Sequence, residues 1–87
     1  MIKKILNKDR YAFLFENPIF TGCLISENNT ETWFKDGEWH REDGPAYVQG
    51  NHIGWYLNGI EYTHQRYIIE IRKLKLERIL KNINAKS

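Results

Sequence analysis

The chain has 87 residues, 41% of them hydrophobic and 28% charged, with 13 Lys and Arg against 11 Asp and Glu for a net charge of +2. That balance excludes a disordered chain, and the length allows one domain near the lower limit for folding without staples. A single cysteine, Cys23, excludes an internal disulfide and reads as a small apolar strand residue in a reducing cytoplasm.

In chain order, "MIKKIL" is too short for a signal peptide, and no apolar run approaches the ~18 residues of a membrane span. "YAFLFE" (11–16) and "TGCLIS" (21–26) are short and rich in β-forming residues, so both are predicted as strands of an N-terminal segment, residues 1–30. From residue 31 the punctuation becomes regular, with "KDG" at Lys35, "EDGP" at Glu42, "QGN" at Gln49 and "NG" at Asn58. Asp-Gly and Asn-Gly favour type I′ turns, where both central residues need positive φ. Residues 31–63 therefore read as an antiparallel meander of short hairpins.

The meander repeats. "WFKDGEW" begins at Trp33 and "WYLNGIEY" at Trp55, so Asp36-Gly37 aligns with Asn58-Gly59. One and a half such units cannot bury their own faces, and another element must cover the sheet. The segment 64–84 has neither Gly nor Pro and follows Thr63, a plausible N-cap, so it is predicted as one long helix with a Glu77–Lys81 pair. The fold class is α+β, a single domain over 1–87.

At about 100° per residue this helix carries two apolar stripes. Ile68, Ile69, Leu76, Ile79, Leu80 and Ile83 form the wider one, and Tyr67, Ile71 and Leu74 lie almost opposite. Either the first half of the helix is wedged between the sheet and the N-terminal strands, or the second stripe meets another chain or a second copy.

"HREDGPA" (40–46) sets an imidazole, a guanidinium and two carboxylates side by side. Asp43-Gly44-Pro45 accounts for it as a turn, with Arg41 in an exposed ion pair of little weight. His52 and His64 have no ligand-like spacing to His40, and a thin meander offers few pockets for acid–base chemistry, so no metal, cofactor or enzyme activity is expected.

With "NGIEY" following it, this stretch resembles the MORN-like repeats of tailed bacteriophages and bacteria, whose pattern runs "NGxxHREDGPA". The resemblance covers 31–67, with residues 40–46 matching without a gap. Departures are a single full motif, "GEWH" where the pattern often has a basic and an apolar residue, and no match over 1–30. It implies a small β-meander of phage type with no catalytic residues to carry over.

Two functions remain open. The first is a non-catalytic phage-type accessory protein that binds and inhibits or modulates a host protein, a defence or toxin–antitoxin component. Trp39, Tyr56, Tyr67, Ile71 and Leu74 are its interface candidates, since aromatic residues dominate hot spots. Trp33 and Trp55 read more simply as core. The second is RNA binding. Residues 66–87 carry seven basic groups against Glu70 and Glu77, whereas 11–65 carry Lys35 and Arg41 against eight carboxylates. Lys73, Lys75, Arg78 and Lys81 are the candidates there, with Lys3, Lys4 and Lys8 at the other end. A homodimer is compatible with either, and no membrane association is expected.

Overall fold

Asp36 and Gly37 have φ of 52° and 84°, and Asn58 and Gly59 have 52° and 80°. Both aligned dipeptides thus adopt the positive φ that a two-residue hairpin demands. These turns join β3 (Glu31–Lys35) to β4 (Glu38–Trp39) and β6 (His52–Leu57) to β7 (Ile60–Tyr62). Between them, β5 (Tyr47–Gln49) pairs with β6 across Gly50-Asn51. The structure is a computed structural model that describes the backbone of residues 2–4 and 7–86 and the side chains of 11–83. The side chains of Lys3, Lys4 and Lys8 therefore lie outside the described residues.

Ahead of the meander come β1 (Ile2–Lys4), α1 (Asn7–Glu16) and β2 (Gly22–Ile25). The sheet order is β1-β2-β3-β5-β6-β7, with β4 pairing onto β3. The N-terminal segment corrects the sequence reading, because "YAFLFE" is the end of α1 and not a strand. The cause is topological. β1 runs parallel to β2, from Ile2 opposite Cys23 to Lys4 opposite Ile25. Parallel neighbours need a crossover, and α1 supplies it. The remaining strand pairs are antiparallel, so the expected meander is present.

α1 faces the sheet with Phe13 and Leu14, which pack with Trp39 against a core of Phe20, Leu24 and Phe34. Phe20 links the two sides, with ring centroids 5.1 Å from Phe13 and 6.1 Å from Phe34 in edge-on contacts. Each such ring or leucine withdrawn from water contributes roughly 1.5–3 kcal/mol. Cys23 and Thr32 in the sheet, and Ala46 just ahead of β5, are fully buried. Burial pushes the Cys23 thiol up, and with the nearby Glu31 charge it disfavours the reactive thiolate.

The predicted C-terminal helix is α2 (His64–Lys86). The Arg66 N–H donates to Thr63 Oγ1 at 3.2 Å, so Thr63 is the N-cap expected. α2 lies against β6 and β7. At 1.5 Å per residue it is about 34 Å long.

Candidate protein-interaction surfaces

The charged cluster at 40–43 is held by bonds from three directions. His40 is buried, at 7% exposure. Its Nδ1 accepts the Asn58 N–H at 2.9 Å, which leaves the proton on Nε2, 2.8 Å from Glu42 Oε2. Glu42 Oε1 in turn accepts from Arg78 of α2 at 2.6 Å. Arg41 Nε donates to Asp43 Oδ1 at 2.8 Å, while its guanidinium lies 4.0 Å over the Trp33 ring. Gly44 leaves room for it: a Cβ there would stand 2.9 Å from Arg41 Cζ. The Tyr67 hydroxyl reaches the carbonyl oxygens of Arg41 and Gly44.

The segment therefore does more than turn. Around it the Arg41 N–H donates to Tyr56 O, the His40 N–H to Trp33 O and the Gly59 N–H to Trp39 O, which stitches one hairpin onto the next. Arg41 exceeds the exposed ion pair expected of it, because it is stacked as well as bonded. Within the quartet, His40 and Glu42 tie one hairpin to the next and to α2, while Asp43 serves to hold the Arg41 guanidinium.

Glu42 carries a pH signature. Burial pushes its carboxyl up, but hydrogen bonds from His40 and Arg78 outweigh that and hold it below the usual glutamate value. The Arg41 hydrogen bond likewise lowers Asp43. A carboxyl depressed on folding stabilises fully above its unfolded pKa of about 4.3, and loses that contribution as pH falls through its lower folded value. The urea midpoint is expected to fall with pH below about 4.5, and Glu42→Gln to flatten that slope. An unchanged slope in the variant would remove Glu42 from the account.

The two stripes of α2 have different surroundings. Tyr67 is 4% exposed, its ring 4.9 Å from Trp55, which also stacks on His64 at 4.3 Å. Ile71 and Leu74 follow at i+4 and i+7 and are half-buried on the same face. Tyr67 thus belongs to the fold, with Ile71 and Leu74 beside it on the face turned to the sheet. The wider stripe is the outward one: Ile68, Ile69, Leu76, Ile79, Leu80 and Ile83 are all exposed. The first half of α2 rests on β6 and β7.

The basic candidates do not converge. Lys73 sits 3.4 Å from Glu70 Oε2, which Arg66 also holds at 2.9 Å, and Arg78 is drawn inward to Glu42. Lys75 and Lys81 are exposed. At about 100° per residue, Lys73, Lys75, Arg78 and Lys81 spread over about 200° of the helix, with Arg78 on the side that packs on the sheet. The Glu77–Lys81 pair is not among the ion pairs of the described residues.

Trp39 and Tyr56 do share a site. Strand pairing sets Tyr47 opposite Gly54 and Tyr56 opposite Glu61, which places all four on the sheet face away from α2. Trp39 stacks on Tyr47 with centroids 5.5 Å apart and planes 12° from parallel, and meets Tyr56 edge-on at 4.9 Å and 79°. These residues, with Asn51, His52, Ile53, Gly54 and Glu61, line an open cleft of about 520 Å³. Burial, Glu61 and Tyr47 push the Tyr56 phenol up and keep it protonated. Tyr47 and Glu61 were missed from sequence, although the register imposed by the "QGN" and "NG" turns pairs them with Gly54 and Tyr56.

Comparisons with family models, with curated proteins and with solved structures found no match. The likeness of residues 31–67 to MORN-like repeats rests on the motif residues themselves. Among the described residues, no three His, Cys, Asp or Glu side chains gather to hold a metal ion. None of their helices is long and apolar enough to cross a membrane.

Proposed function

We propose that this chain is a non-catalytic accessory protein that binds another protein through the outward face of α2. The observation that carries the reading is the exposed row of Ile69, Leu76, Ile79, Leu80 and Ile83 on a helix whose opposite face already packs on the sheet. Exposed apolar surface of this kind marks an interaction site. Lys73 and Lys75 flank the row and Arg72 stands within it, between Ile69 and Leu76, so the partner that fits is an apolar groove carrying acidic groups. The quartet at 40–43 supports a non-catalytic role, since its groups are engaged in structural bonds.

The finer reading is a phage-type inhibitor or modulator of a host protein, acting in the host cytoplasm. Its support is the "HREDGPA" resemblance. An outward face with five exposed aliphatic residues around a single Arg72, and the other cations spread over the helix, favour a protein over RNA.

The test is capture by the tagged full chain from nuclease-treated bacterial lysate. A stoichiometric protein partner is expected with the wild type, and at least about ten-fold less with Ile79→Asp, as befits a central apolar contact. The charge variant Lys73→Glu/Lys75→Glu is expected to weaken capture less and to change its salt dependence. Binding that vanishes with nuclease, or that the charge variant abolishes while Ile79→Asp leaves it intact, would transfer the function to nucleic acid. Light scattering on the purified chain distinguishes a second copy on the same face.

A further inference from the structure

On the other side of the molecule, the cleft formed by Trp39, Tyr47, Tyr56 and Glu61 has a chemistry of its own. Trp39 and Tyr47 stack with nearly parallel planes, and Tyr56 stands close to a right angle to Trp39, so three rings line an open corner. Aromatic faces carry negative potential and attract organic cations. Beside the corner, Glu61 is exposed and has no ion-pair partner among the described residues. No lysine or arginine lines the cleft. The surrounding segment, 11–65, carries two basic groups against eight carboxylates, so the local field also draws in a cation.

Gly54 forms the floor. A Cβ at this position would stand 2.7 Å from Tyr56 Cε1 and 3.6 Å from Glu61 Oε2, so any side chain would displace the ring that closes the corner. The same molecule satisfies a comparable set of groups internally. Over the Trp33 ring lies the Arg41 guanidinium, held at its edge by the Asp43 carboxylate. In the cleft the rings and the carboxylate are present and the guanidinium is not.

We propose that this cleft is a binding site for an arginine side chain of a partner polypeptide, with the guanidinium stacked in the aromatic corner and its edge bonded to Glu61. A guanidinium fits better than an ammonium because it is planar, weakly hydrated and able to stack and fork to a carboxylate at once. The site is independent of the outward face of α2, which lies on the far side of the sheet.

The experiment is a titration of the full chain, followed by amide and indole NMR resonances, with a blocked Gly-Gly-Arg-Gly-Gly peptide and its lysine and trimethyllysine counterparts. The arginine peptide is expected to shift the Trp39 indole and Gly54 amide saturably, with little movement at the Trp55 indole, and to bind about five-fold tighter than the lysine peptide. Glu61→Gln is expected to remove most of that preference while leaving the rest of the spectrum in place. Ile79→Asp is expected to leave the titration unchanged, so the two surfaces can fail separately. Equal affinity for arginine and lysine would reduce the site to general charge attraction and overturn the proposal. Preference for trimethyllysine would overturn it in favour of a methylammonium site, and shifts that never saturate would show that no site exists.

Discussion

Gly37→Ala is expected to cost more than about 3 kcal/mol, a large share of what a domain of this size holds in reserve. Gly37 sits at φ +84°, and a Cβ there would stand 1.9 Å from the Pro18 carbonyl oxygen. The close approach has a purpose, since the Gly37 N–H donates to Phe20 O at 3.0 Å and Phe20 is the ring that ties α1 to the sheet. Alanine must therefore push away backbone, which has no rotamer to yield, and accept an unfavourable φ as well. Gly50→Ala is the control. It also has positive φ, +58°, but nothing within 4 Å, so the conformational cost alone remains, about 1 kcal/mol. Urea denaturation of the two variants decides the matter. Equal losses would mean that the 18–20 loop does not bear on the turn.

His40→Ala is the second large effect, at about 3 kcal/mol. The imidazole satisfies the Asn58 N–H with one nitrogen and Glu42 with the other, in a buried position between two hairpins. Truncation leaves both partners short of a bond and opens space around them, and each loss costs about 1–3 kcal/mol. For a domain of this size, that total lowers the thermal midpoint by more than about 10 °C. Asp43→Ala, at a side chain 83% exposed, is expected to cost under about 1 kcal/mol. Near-equal midpoints for the two variants would return the motif to ordinary turn chemistry. Because His40 acts through Glu42 and Arg78, pairs drawn from these three are expected to be non-additive.

Turn chemistry and periodicity made the meander and α2 legible. Asp36-Gly37 and Asn58-Gly59 require one backbone shape, and Thr63 caps where the pattern changes. The helical state of 11–16 was not legible. Phe13 and Leu14 are adjacent, and Tyr11 and Phe15 are exposed, so α1 shows no clean apolar period. Its state follows from the parallel pairing of β1 with β2, a non-local fact. Nor could the wheel assign the stripes of α2, because both are apolar. What decides between them is Tyr67, the one residue of either stripe with a hydroxyl, which the turn at 41–44 accepts. The aromatic cleft was half legible, since Trp39 and Tyr56 were visible as bulky residues while their neighbours Tyr47 and Glu61 come from strand register.

The proposed function requires α2 to fold with one face and recruit with the other. The most direct measurement is the thermal unfolding of Ile79→Asp beside Tyr67→Ala. The predicted result is a midpoint for Ile79→Asp within about 3 °C of the wild type, as for a surface substitution, and a collapse for Tyr67→Ala of more than about 10 °C. Unfolding of Ile79→Asp with Tyr67→Ala little changed would place the wide stripe in the core and contradict the account.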